Sequence, residues 1–99
     1  MSDWPFPDAR NFNAFTTARV MDRREPILAV YHDTSDGAWQ FIGGYWGPEE
    51  LIVVCLEDAV ARDASVRALA DLPRGWGARR AGEELPWERF ELPHEDSSD

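Results

Sequence analysis

Two short apolar segments around a polar turn are the clearest pattern in this 99-residue chain. They span residues 27–31 and 38–42, and the polar stretch between them ends in Asp36 and Gly37. Asp and Gly tolerate the positive φ that a tight reversal requires, and the β-branched and aromatic residues on either side favour strands. The pattern therefore predicts a β-hairpin.

Another segment, residues 51–56, is apolar at every position. A strand with one wet face alternates between apolar and polar residues, so a strand that is apolar throughout is typical of a sheet centre covered on both faces. We therefore predict a central strand here, with a helical layer over the sheet. Cys55 would lie in this strand as an inert core cysteine, because burial disfavours the thiolate.

Residues 57–72 are predicted to form that layer as two short helices rather than one. At about 100° per residue, Val66 and Leu69 share one side of a helix, whereas Val60 points to a different side. A break before the second helix removes this conflict. Asp63 is suited to cap the N-terminus of the helix that follows the break.

The first 21 residues show a weaker pattern. Trp4, Phe6 and Phe12 lie in an arm without a sustained period, and we expect large rings of this arm to pack onto the body. Residues 15–21 begin with strand-favouring threonines and end in a segment compatible with a turn of helix. The sequence therefore leaves their structure open.

Taken together, these patterns predict one α+β domain. Residues 76–80 and 87–92 are two further predicted strands, so we expect a mostly antiparallel sheet of four or five strands with two short helices covering one face. Residues 14–92 form the domain, residues 1–13 are the N-terminal arm, and residues 93–99 are a disordered acidic tail. The predicted core comprises Leu28, Val30, Trp39, Phe41, Ile52, Val54, Val66 and Leu69.

The net charge of the chain limits the kinds of molecule that we expect it to bind. Nineteen acidic residues face ten basic residues, all of them arginine, for a net charge of −9. Nucleic acid and anionic membranes would repel such a chain, so we expect neither as a partner, whereas a basic protein partner fits. A lone cysteine, the absence of a signal-peptide pattern and the absence of a membrane-length apolar run indicate a cytoplasmic location.

His32, Asp33 and Asp36 form one candidate polar cluster. A histidine titrates near neutral pH, and neighbouring carboxylates can orient it as a general base or as a ligand. The simpler interpretation is that the carboxylates bind backbone N–H groups of the hairpin turn while His32 ends a strand. The cluster defines the alternative function, a small-molecule-binding protein or small enzyme. One cysteine and two histidines do not supply a metal site, and we expect no cofactor.

Tyr45, Trp46 and Trp76 form a second candidate site, together with nearby Arg79. Each of the three aromatic residues adjoins a glycine, and exposed aromatic rings near arginine are typical anchors of protein interfaces. The alternative is that the rings fold back and cap the core. These residues are our candidate partner-binding site in a non-enzymatic binding module, and the sequence leaves a homodimer through an unpaired sheet edge open.

The hairpin residues also carry a family resemblance. Pro-Ile-Leu-Ala-Val-Tyr-His-Asp at 26–33 and Asp-Gly-Ala-Trp-Gln-Phe-Ile-Gly-Gly at 36–44 resemble a family of small uncharacterised bacterial proteins, as do residues 69–76 and 86–89. More distantly, Pro-Ile-Leu followed by Trp-Gln-Phe is similar to immunity-protein-like domains, which protect a bacterium by binding a toxin. The resemblance implies a protein-binding function and no catalytic residues.

Overall fold

The computed structural model describes residues 4–43 and 51–93. Its strands are β1 (Asn13–Thr17), β2 (Ala29–His32), β3 (Trp39–Ile42), β4 (Leu51–Cys55), β5 (Trp76–Arg79) and β6 (Glu88–Glu91). Its helices are α1 (Ala18–Met21), α2 (Leu56–Arg62) and a 3-10 helix (Ala64–Leu69). Six residues of the predicted acidic tail, 94–99, lie outside the described residues.

The strands form one six-stranded sheet in the order β4-β1-β3-β2-β5-β6. The β1–β3 pair is parallel and every other pair is antiparallel. The predicted α+β class is confirmed, but the prediction of four or five strands and two helices was wrong. In the described part of the chain the sheet has six strands and is mixed, and three short helices accompany it. Residues 13–17 form a strand inside the sheet, and residues 18–21 add a helical turn.

The predicted hairpin is present as β2 and β3. Its register pairs Ala29 with Ile42 and His32 with Trp39, and the Asp33 N–H donates to the Ala38 carbonyl at 2.8 Å across the turn. Glycine is required inside the turn at position 37, where φ is +72°, because L-residues with a side chain rarely adopt that conformation.

The predicted break between the two helices is also present. Asp63 lies between α2 and the 3-10 helix, and its Oδ1 accepts a hydrogen bond from the Ser65 N–H at 2.9 Å. This bond satisfies one of the free N–H groups at the start of the second helix. Val60 and Val66 are both buried on either side of the break, which a single straight helix would not allow.

The helices and the arm cover one face of the sheet, and their side chains form a single core with that face. The core consists of Phe6, Ala14, Val20, Ile27, Val30, Trp39, Phe41, Leu56, Ala59, Val60, Val66, Leu69, Ala70, Leu72 and Ala78. Five of the eight predicted core residues belong to it. Of the other three, Leu28 and Val54 are only half-buried, and Ile52 is 37% exposed.

The prediction that residues 51–56 form a central strand was wrong, because β4 is the first strand of the sheet and lies at its edge. Strand β1 occupies the place beside β3, so within residues 4–43 and 51–93 β4 pairs with β1 alone. The side chain of Val53 is 57% exposed, and Cys55 is half-buried rather than enclosed. The Cys55 N–H donates to Asp58 Oδ2 at 3.1 Å, which joins the end of β4 to the start of α2.

Candidate functional site

The sheet face opposite the core carries a row of large side chains. Side chains alternate between the two faces of a strand, so the neighbours of core residues point to this second face, which we call the open face. The strand registers bring one residue of each strand into line across it. The row runs Val53, Phe15, Gln40, Tyr31, Gly77 and Phe90. Apart from the glycine, all of them are half-buried or exposed.

Two rings of this row are held together above Gly77. The centroids of Tyr31 and Phe90 lie 6.3 Å apart with their planes at 81°, an edge-to-face arrangement that aromatic pairs favour. A Cβ at position 77 would lie 2.9 Å from the Phe90 ring and 3.1 Å from the Tyr31 ring, so only glycine allows this approach. The guanidinium of Arg79 lies 5.0 Å from the Phe90 ring centroid on the same face. The open face therefore presents an ordered aromatic pair beside a cation.

The residues of the predicted partner-binding site fall in different places. Arg79 is exposed on the open face, whereas Trp76 points to the other face of β5 and packs, half-buried, against the core. Tyr45 and Trp46 lie outside the described residues. The structure thus places Arg79 beside a half-buried aromatic ring, but this ring is Phe90 rather than Trp76.

The His32 side chain is packed into the protein interior. Its ring is 7% exposed, is stacked on Trp39 with a centroid distance of 3.9 Å, and donates from Nδ1 to the Leu72 carbonyl at 2.7 Å. A carbonyl oxygen only accepts hydrogen bonds, so Nδ1 carries a proton. These contacts tie the hairpin to the segment that follows the 3-10 helix.

The two carboxylates of the same cluster bind their own turn. Asp33 Oδ1 accepts from the N–H and the hydroxyl of Ser35, both at 2.8 Å, and Asp36 Oδ1 accepts from the Ala38 N–H at 3.0 Å. The Ser35 N–H, and then its hydroxyl, lower the pKa of Asp33 because they stabilise the ionised form. The arrangement is that of a carboxylate-stabilised turn.

A buried ion pair joins Arg80 and Asp63 on the core side. The Arg80 side chain is 2% exposed, and its Nη2 lies 2.6 Å from Asp63 Oδ2. The guanidinium also donates to the Ser65 hydroxyl and to the carbonyls of Ile27 and Glu83, each at 3.0 Å. Because the guanidinium and the carboxylate are satisfied together, the pair holds the 3-10 helix to the end of β5.

Burial raises the pKa of the Asp63 carboxyl, but the hydrogen bonds that it accepts from Ser65 and Arg80 outweigh burial and keep that pKa below its ordinary value. The sequence interpretation did not separate Arg80 from its exposed neighbour Arg79. The alternation of side chains along a strand could have identified Arg80 as a residue that faces the core. Trp76 and Ala78 face the core from β5, and position 80 continues the same alternation just beyond the strand.

Other site types find little support in the part of the chain that the structure describes. Residues 4–43 and 51–93 contain no group of three or more His, Cys, Asp or Glu side chains placed to hold a metal ion. A shallow groove of about 630 Å³ lies between the 3-10 helix and the turn before β6, away from His32. No helix in the described segments has the length and apolarity needed to cross a membrane.

The chain was compared with family models, with curated proteins and with solved structures, and none of them matches it.

Proposed function

We propose that this protein is a non-enzymatic protein-binding module, that its contact surface is the open face, and that its partner is a basic protein. The observation that carries the proposal is the row of half-exposed side chains centred on Tyr31 and Gln40, on the sheet face opposite the core. Tyrosine, phenylalanine and arginine are enriched in protein interfaces. The aromatic rings provide a large apolar surface with few internal degrees of freedom, and arginine provides directional hydrogen bonds.

Charge supports the choice of partner. The chain carries a net charge of −9, while the row across the open face contains no ionised side chain. A basic protein would be steered to the molecule by its overall field and would bury apolar side chains on contact, without leaving acidic groups desolvated at the centre. Toxin neutralisation, the function implied by the resemblance to immunity-protein-like domains, is one form of such binding.

The alternative function is a small-molecule-binding protein or small enzyme that uses His32, Asp33 and Asp36. The contacts of these residues count against it, since the His32 ring is enclosed and both carboxylates bind N–H groups of the turn. A catalytic cluster needs side chains that face substrate together, whereas His32 is buried and the two carboxylates bind their own turn.

The experiment begins with affinity purification of the tagged chain from its native lysate, elution across a salt gradient and identification of the bound protein by mass spectrometry. The purified partner is then titrated against two variants of Gln40, which lies at the centre of the open face. Gln40→Arg is expected to raise Kd about tenfold or more, because it sets like charges against each other. Gln40→Glu is the control of nearly equal shape and is expected to retain binding.

Melting temperatures of both variants should stay close to that of the parent chain, because Gln40 is half-buried outside the core. Equal affinities for Gln40→Arg and the parent chain would contradict the open face as the contact surface. A partner that is acidic, or a complex insensitive to salt, would contradict the electrostatic part of the proposal.

A further inference from the structure

The outer edge of β4 presents backbone groups that its pairing with β1 does not use, beside exposed apolar side chains. The Leu56 N–H donates to the Phe12 carbonyl, so this pair belongs to the hydrogen-bonded pairs of the β1–β4 ladder. Because such pairs alternate along an antiparallel ladder, Val54 and Ile52 also direct their backbone groups toward β1. The N–H and C=O of Val53 therefore point outward, where the described part of the chain places no further strand.

The next outward-facing residue after Val53 is Cys55, and one of its two backbone groups is already hydrogen-bonded within the chain. The next outward-pointing N–H belongs to Cys55, and it donates to Asp58 Oδ2 at 3.1 Å. The accessible edge thus consists of the backbone groups of Leu51 and Val53 and the Cys55 carbonyl. Ile52 and Val53 flank this edge on opposite faces and are 37% and 57% exposed.

The two edges of the sheet differ in how they are protected. Strand β6 at the far edge carries Glu88, Arg89 and Glu91, and charged side chains of this kind discourage pairing with another chain. Strand β4 has neither a charge nor a proline in its five residues. An edge that is open, apolar and unprotected is the geometry to which an extended peptide adds as a new strand.

The acidic charge of the chain favours a basic segment over a second copy of the chain at this edge. Two exposed acids, Glu57 and Asp58, lie in the first turn of α2 just after β4, and the whole chain carries a charge of −9. A second copy of the chain would bring the same acids and the same net charge to the edge, so self-pairing is opposed electrostatically. A segment with β-branched apolar residues and an adjacent Arg or Lys would instead complement both the strand and its acidic end.

We infer that the outer edge of β4 accepts an extended, apolar segment of a basic protein as a seventh strand, hydrogen-bonded to Val53 and continuous with the open face. This inference rests on the proposed function and names the element through which the partner attaches. Val53 both presents the backbone groups and begins the side-chain row of the open face, so a bound strand would extend that row by one residue.

The test uses the full chain labelled with ¹⁵N and a synthetic peptide with a Val-Thr-Val-Thr-Val core flanked by arginines. Titration to about 1 mM peptide covers affinities as weak as those of short strand-addition ligands. We expect shifts of the Leu51 and Val53 amides and at least about tenfold slower hydrogen exchange of the Val53 N–H. A peptide with glutamates in place of the arginines should produce neither effect.

Two proline variants separate edge pairing from other binding. Val53→Pro removes an outward N–H and leaves the bonds to β1 intact, so the fold should persist while peptide binding is lost. Glu91→Pro is the control at the opposite edge. The Leu92 N–H donates to the Gly75 carbonyl, so by alternation along the ladder the N–H of Glu91 points away from β5. This variant should leave peptide binding unchanged. Unchanged amide spectra outside β4 would confirm that the Val53→Pro chain is folded.

Four results would overturn the inference. One is the absence of amide protection at Val53 with the arginine-flanked peptide, and another is equal peptide binding by Val53→Pro. The third is concentration-dependent protection of Val53 without peptide, together with a dimer in sedimentation, which would assign the edge to a second copy. A purified partner that perturbs Tyr31 and Gln40 but not Val53 would preserve the proposed function and refute only the edge inference.

Discussion

Replacing Arg80 with methionine is expected to destabilise the fold more than any exposed arginine substitution. The side chain is 2% exposed and lies 2.6 Å from the Asp63 carboxylate, so its removal leaves a largely enclosed carboxylate without a counter-charge. The carbonyls of Ile27 and Glu83 lose a donor as well. Breaking a buried pair from one side typically costs about 3–5 kcal/mol, a large part of the about 5–15 kcal/mol that holds a domain folded.

Methionine is the appropriate replacement because it preserves apolar volume where the guanidinium lies 4.2 Å from the Trp87 ring centroid. Stability is measured by urea unfolding monitored by tryptophan fluorescence, with the midpoint and slope fitted separately. The matched control is Arg89→Met. Arg89 lies at the same 2.6 Å distance from Asp71, but both side chains are exposed, so solvent screens the pair and the midpoint should change little.

A double variant tests the reasoning itself. Asp63→Asn retains an N-cap side chain but removes the charge, so combining it with Arg80→Met eliminates the unpaired carboxylate. We expect the double variant to be more stable than the sum of the two single losses indicates. Strictly additive losses, or equal losses for Arg80→Met and Arg89→Met, would refute the claim that burial makes this pair important.

The remaining predictions concern pH, the enclosed histidine and the hairpin turn. Folding lowers the pKa of Asp63, so the stability that this carboxylate contributes is present above about pH 3.8 and is lost as the pH falls further. In Asp63→Asn the urea midpoint should therefore decrease less steeply with falling pH than in the parent chain. His32→Leu leaves the Leu72 carbonyl without its donor and should cost about 1–3 kcal/mol in calorimetry, whereas an unchanged melting temperature would argue against a structural role. Gly37→Ala places a side chain at φ +72° and should cost about 1–2 kcal/mol in the same unfolding assay. Gly82→Ala is the control and is expected to be near neutral, because a Cβ at position 82 would lie 3.8 Å from Leu85, an ordinary contact distance.

Features that depend on neighbouring residues could be predicted from the sequence. The hairpin follows from a Gly that adopts φ +72° and from short apolar segments on both sides. The break at Asp63 follows from helical geometry, because a straight helix would direct Val60 and Val66 to different sides. In both cases the deciding interactions join residues a few positions apart, such as the Asp63 bond to Ser65.

Features that depend on pairing between distant segments could not be predicted in the same way. The apolar residues at 51–55 indicate a strand, but they do not indicate which strands will lie beside it in the sheet. Its position at the edge was decided by β1, which pairs in parallel with β3 and antiparallel with β4. The row on the open face depends on the same registers, because Phe15, Gln40 and Phe90 come from separate parts of the chain.

The α+β class, the hairpin, the divided helical segment and the acidic character of the molecule could all be inferred from the amino-acid sequence. These properties are set by local backbone preferences and by composition, which act over a few residues or over the whole chain. Three features became visible only in the folded chain: Arg80 is buried, Val53 lies in an edge strand, and Tyr31 and Phe90 meet across Gly77. Each of these outcomes requires a choice of strand neighbours, and that choice is made by packing and hydrogen bonding between segments far apart in the chain.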